Sequence, residues 1–186
     1  MRGWTSSTRR AGGHLTLGLA LLASLAGCAA TPTSPGEQPD QDLPDRIRIV
    51  PDDFHVPYAG TAEDGRRFFL SEELFDPGGP AYVGLFLWDA DGAFDELRVD
   101  EVAAAEGALS DQAARADADE LVEARLAELG DYVLEPIEVE PFTRDVAGVT
   151  FGWVPDRYED GTVVVTLQPG DAMAYTAPWD GLGYDT

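Results

Sequence analysis

Side chains able to do chemistry are unevenly spread along this 186-residue chain. There is one thiol, Cys28, and there are two imidazoles, His14 and His55, against 35 carboxylates. A single cysteine excludes a disulfide within the chain. Any Ser-His-Asp arrangement in the folded segment would have to use His55, because His14 belongs to the leader described below. The surrounding Asp52-Asp53-Phe54-His55-Val56-Pro57-Tyr58 holds no nucleophile motif. No G-x-S-x-G, H-E-x-x-H or phosphate-cradling glycine loop occurs anywhere. His55 is therefore read as a surface or turn residue. Zinc would have to rely almost wholly on carboxylates, which is uncommon for that ion. Glycosidase-type chemistry needs two acids at a set separation in a sugar-sized cleft, and spacing alone selects no such pair.

The acids with a spacing of their own are Asp89, Asp91 and Asp95, in Asp89-Ala90-Asp91-Gly92-Ala93-Phe94-Asp95-Glu96. Calcium takes about six to eight hard oxygens, and a tight acidic loop can supply several. Here the glycine comes early, and Arg98 stands where an EF-hand loop places its last glutamate. The competing reading is a hairpin turn, since Asp-Gly suits the positive φ values of a type I′ turn. Asp64-Gly65 and Asp160-Gly161 recur before strand-like segments in the same way. The turn is the expectation. The three aspartates stand as calcium candidates only, and no cofactor is implied.

The thiol reads as an address. Arg2, Arg9 and Arg10 give a positive start without an acid, Leu15 to Leu25 form a short apolar run, and Ala26-Gly27 precede Cys28. That is the layout of a secretory signal, and the run is too short to cross a bilayer. Leu25-Ala26-Gly27-Cys28 resembles the lipobox of bacterial lipoproteins. The resemblance implies a diacylglyceryl thioether on Cys28, cleavage before it and acylation of the new amino terminus. The Arg9-Arg10 pair hints at twin-arginine export, but Ala11-Gly12-Gly13 follow where bulky apolar residues are expected. At about 0.8 kcal/mol per buried methylene, one acyl chain binds reversibly and two anchor stably. Residues 28–45 are rich in Pro, Ser, Thr and acids. They read as a flexible tether spanning roughly 20–25 Å as a coil. The expected location is the outer face of the cell membrane.

All 12 basic residues are arginine, and the formal net charge is −23. Removing residues 1–27 takes three arginines and no acid, which leaves −26. A nucleic-acid partner needs a basic footprint, so none is expected. Strong acidity keeps an exported protein soluble by self-repulsion. Without disulfides, residues 46–186 must rely on a hydrophobic core, and they form one domain of ordinary size.

The elements that must position these groups read as strands around one helix. Strand-like segments are 66–70, the apolar Tyr82-Val83-Gly84-Leu85-Phe86-Leu87-Trp88, then Phe94 to Val99, 137–140, 149–153 and 163–167. An apolar run of that kind marks a central strand covered on both faces. One helix is expected over about 110–129, with Ser110 or Asp111 at its start and Gly130 closing it. Its apolar stripe is Ala114, Ala118, Leu121, Val122, Leu126 and Leu129. The expected fold is α+β: a mainly antiparallel sheet of about six strands with the principal helix packed on one face.

The chain ends in Pro178-Trp179-Asp180-Gly181-Leu182-Gly183-Tyr184-Asp185-Thr186. With Trp88-Asp89-Ala90-Asp91-Gly92 and Phe151-Gly152, this is similar to a family of short acidic actinobacterial proteins that end in P-W-D-G-x-Y-D-T. Some members carry the name formate-hydrogenlyase regulator. The resemblance implies a shared fold over about 46–186 and no assigned activity, and Gly183 is an insertion relative to the motif. Trp179, Asp180 and Tyr184 read either as a plug at the end of the sheet or as a recognition patch, since Trp and Tyr dominate interface hot spots.

These readings point to a membrane-anchored, non-enzymatic binding module with an envelope protein or ligand as partner. The alternatives are a small carboxylate-dependent hydrolase of envelope polymers and an immunity-type protein that masks a basic partner.

Overall fold

Alternation along the strands dictates three layers. The computed structural model describes residues 42–77, 79–102 and 112–186. Cys28, the expected leader, most of the expected tether and the expected helix caps Ser110 and Asp111 lie outside the described residues. In chain order the elements are β1 (Ile47–Ile49), β2 (Tyr58–Thr61), β3 (Arg67–Phe75), β4 (Ala81–Trp88), β5 (Phe94–Glu101), α1 (Gln112–Ala127), β6 (Val133–Leu134), β7 (Ile137–Val139), β8 (Phe142–Val146), β9 (Val149–Arg157), β10 (Val163–Gln168), β11 (Met173–Thr176) and β12 (Tyr184–Asp185).

Strands pair antiparallel throughout, in two five-stranded sheets and a ribbon. The first sheet runs β5-β4-β3-β2-β6, the second runs β12-β11-β10-β9-β8, and β1 pairs with β7. The α+β class and the antiparallel pairing agree with the sequence reading. The expectation of one sheet of about six strands is corrected: β2 to β5 with β6, which returns after the helix, build one sheet, β8 to β12 build another, and the two share a core.

The fully buried β4 shows why. Ala81, Val83, Leu85 and Leu87 join Phe68, Leu70, Ala114, Ala118 and Val122 in a cluster beneath α1. Tyr82, Phe86 and Trp88 point the other way and join Phe69, Phe151, Trp153, Val165, Leu167 and Tyr175 between the sheets. Period 2 in a strand with two apolar faces demands a covering layer on each. Ile47, Ile49, Ile137 and Val139 of the ribbon fill the same inter-sheet core.

Two bulges re-aim side chains. Opposite β4, Ser71 faces Gly84 but Leu74 faces Tyr82, so β3 carries an extra residue there. Leu74 is thereby brought into the inter-sheet core, a face its number parity alone would deny it. In β5 the register slips between Leu87 and Trp88, leaving Asp95 as the extra residue. The uneven spacing of Phe94, Leu97 and Val99 then serves one face, all three being packed on the inter-sheet core.

The helix follows its expected stripe: Ala114, Ala118, Val122 and Leu129 are buried. Gly130 has φ +69°, as a helix-closing glycine should.

Candidate functional site

The three Asp-Gly segments are hairpin turns of one kind. In each, a residue's N–H meets the carbonyl four residues on, and the glycine N–H returns to its carbonyl: Ala62 with Arg66 and Gly65, Asp89 with Ala93 and Gly92, Tyr158 with Thr162 and Gly161. Gly65, Gly92 and Gly161 have φ of +84°, +83° and +86°, while the preceding aspartates do not lie in the left-handed region. This is a turn closed by a left-handed glycine bulge rather than the expected type I′ turn. The two-residue turn with both φ positive is Ala147-Gly148, between β8 and β9.

That geometry engages the calcium candidates. Asp89 accepts the backbone N–H groups of Asp91 and Ala93 through one oxygen, both at 2.9 Å. The Asp91 carbonyl accepts from Arg46. Asp95 pairs with Arg66 at 3.3 Å, and Arg66 also holds Asp64 at 2.7 Å. Among the described residues, no group of three or more His, Cys, Asp or Glu side chains is arranged to hold a metal ion.

His55 and the C-terminal motif, distant in sequence, meet in one place. The loop after β1 is pinned by Asp52, which accepts the N–H groups of Phe54 and Val56 at 2.8 and 3.0 Å. The other Asp52 oxygen accepts the hydroxyl of Tyr184. His55 Nδ1 lies 2.7 Å from Glu73 Oε2, and its ring stands edge-on to Tyr184 with centroids 6.0 Å apart. Tyr184 in turn meets Tyr175 edge-on at 5.9 Å, and Tyr175 stacks on Trp153 at 5.1 Å. The cluster therefore continues as an aromatic row into the inter-sheet core.

Its electrostatics follow from burial and partners. Burial pushes the Asp52 carboxyl upward, but the Tyr184 hydrogen bond and the backbone N–H groups outweigh it and hold the pKa below 3.8. Tyr184 is pushed up to about 12, by burial first and then by its bond to the Asp52 carboxylate. Glu72, on the β3 bulge beside Glu73, is raised by burial and by the charges of Asp119 and Glu73. Tyr175 is raised by burial, and its hydroxyl has no hydrogen-bond partner among the described residues.

The space beside His55 is small. The cavity lined by His55, Tyr58, Ser71, Glu72, Glu73 and Val122 is about 20 Å³, room for about one water molecule. A histidine–carboxylate pair is present there, but a substrate-sized volume is not. A wider hollow, about 360 Å³, opens on the outer face of the second sheet. It is lined by Val154, Pro155, Asp156, Tyr158, Thr166, Gln168, Asp171 and Ala174. That volume is at the lower end of small-ligand sites, roughly 300–1,000 Å³.

At the terminus, Trp179 and Tyr184 are half-buried and pack on the inter-sheet core. The Trp179 carbonyl accepts the Arg48 N–H at 2.9 Å, and Gly181 lies against the Arg48 carbonyl. Asp180 accepts the Leu182 N–H at 3.0 Å. Leu182 itself is 77% exposed. The motif thus ties the chain end to β1, with Trp179 and Tyr184 turned inward.

Sequence reasoning missed the pairing of His55 with Glu73 and of Asp52 with Tyr184, which span 18 and 132 residues. No local signal marks them. The sheet hollow was missed because its lining comes from three strands and the turns between them, and outward residues such as Thr166 and Ala174 read locally as an ordinary solvent face. No family model, curated protein or solved structure matches the chain.

Proposed function

We propose that the protein is an extracytoplasmic lipoprotein whose folded domain is a non-enzymatic binding module held near the membrane by Cys28. The observation that supports it best is the contrast between the two recesses. The histidine–carboxylate cluster has room for about one water, whereas the larger hollow is open and lined by hydroxyl, amide and carboxylate groups, Asp156 and Asp171 among them. The LAGC segment and the tether supply the membrane half of the reading. Among the described residues, no helix is long and apolar enough to cross a membrane.

Affinity capture from envelope extract, with the processed protein immobilised through its C-terminus, tests the proposal. A saturable ligand should be retained and released by free protein. Turnover of cell-wall or ester substrates, abolished by a single carboxylate-to-amide change, would replace the module with a hydrolase.

A further inference from the structure

The hollow on the second sheet has a construction that narrows its ligand. Its floor is a row across three strands: Val154, Thr166 and Ala174 face one another in register on β9, β10 and β11. The floor is shallow because the side chains are short. One end is raised by Tyr158, a residue 55% exposed in the turn between β9 and β10. The other end is raised by Gln168, whose amide donates to Asp171 in the turn between β10 and β11. The six residues of β10 separate the two ends by roughly 20 Å. Asp156 stands between them on the rim, one Oδ accepting the Arg157 N–H at 2.8 Å.

This set of groups excludes several ligand classes. Asp156 and Asp171 on a molecule of net charge −23 repel phosphates and carboxylates. The acids are not grouped as a cation cage. A floor of Val, Thr and Ala beneath a polar rim gives an acyl chain or fused ring no deep apolar slot. What remains complementary is a neutral ligand rich in both donors and acceptors, with C–H faces to lay on the exposed phenol ring. The negative face of the ring attracts the weakly positive C–H groups of such a ligand. Carboxylate and amide side chains suit neighbouring hydroxyls, because each hydroxyl both donates and accepts.

We propose that this hollow binds a neutral saccharide chain, with Tyr158 stacking on one sugar ring and Asp156, Thr166, Gln168 and Asp171 bonding the hydroxyls of the next. The inference rests on the binding-module reading and names its site and ligand class. The elongated, open shape suits a chain entering from the side rather than a monosaccharide enclosed on all faces. Tyr158 fixes where a ring lies, and the Gln168–Asp171 pair fixes which hydroxyls it presents.

The test uses the processed full-length protein in a non-glycosidic detergent. It is titrated calorimetrically with oligosaccharides of glucose, galactose, mannose and N-acetylglucosamine. At least one series should bind. Tyr158→Ala should weaken that binding at least tenfold, about 1.4 kcal/mol, and Gln168→Ala should weaken it similarly. Tyr158→Phe keeps the ring and should stay within about threefold of wild type. Because Tyr158 is exposed at a turn, unchanged melting temperatures are expected and separate lost binding from lost folding. Absence of binding by all four series overturns the proposal, as does equal binding by wild type and Tyr158→Ala. Occupation of the hollow by an oligolysine peptide that saccharides cannot displace also overturns it. Envelope capture that survives Tyr158→Ala sinks the site while leaving a binding module; capture that fails for wild type removes both.

Discussion

Asp52 illustrates how one side chain joins distant parts of the sequence. Its oxygens tie down the loop that carries His55 and accept the hydroxyl of Tyr184 near the chain end. Asp52→Asn removes the charge but leaves the burial, so the Tyr184 ionisation should fall below about 12 without reaching the ordinary 10. A ring-carbon NMR titration would show this, and an unmoved midpoint would mean the two groups are uncoupled. Because the folded pKa of Asp52 is depressed, its contribution to stability is present above pH 3.8 and fades as pH falls through the lower folded value. Glu72 has the opposite sign. Its raised pKa favours the protonated form in the fold, so that contribution is complete below 4.5 and lost as pH rises through the folded value. Glu72→Gln should therefore raise the melting temperature at pH 7, and the gain should shrink at pH 4. A gain of equal size at both pH values would assign the effect to something other than charge.

At the scale of elements, β4, β5, α1, β9 and β10 were readable because each carries a run or stripe that only a covered face explains. β1, β2, β6, β11 and β12 are two to four residues long, too short to show a period. β8 is mostly exposed and reads Phe-Thr-Arg-Asp-Val, so only Phe142 signals a core. The three-residue step from Phe94 to Leu97 carried the β5 bulge in plain sight, but it is ambiguous until the partner strand supplies the register. The second sheet was hidden for a related reason: periodicity tells which face is buried, not what lies against it. The close pairing of β8 and β9 rests on Gly152, whose φ is +129° and whose added methyl would strike the Phe142 carbonyl. Gly152→Ala should cost about 3 kcal/mol or more, measured by urea unfolding. A loss under about 1 kcal/mol would show that the strands can separate without harm.

For the whole molecule, charge and layering divide the work. Arginines are spent on ion pairs along one edge: Arg66 with Asp64, Asp95 and Glu96, Arg98 with Glu96 and Glu128, Arg125 with Asp100 and Glu128. The remaining acids leave the molecule strongly negative; under the proposed anchoring, that charge would hold the domain off an anionic bilayer. The tether and the hollow then have complementary roles in the proposed function, one holding the domain at the membrane and the other holding a ligand. Cys28→Ala should move the protein from the membrane fraction to the soluble fraction in detergent-free lysis, and persistence in the membrane would place the anchor elsewhere. The most direct test of the membrane-anchored account is the intact mass of the protein extracted from membranes. Membrane anchoring through Cys28 predicts a chain that begins at Cys28 and carries a diacylglyceryl group on its sulfur. A chain that begins elsewhere, or one whose Cys28 carries no lipid, would contradict it.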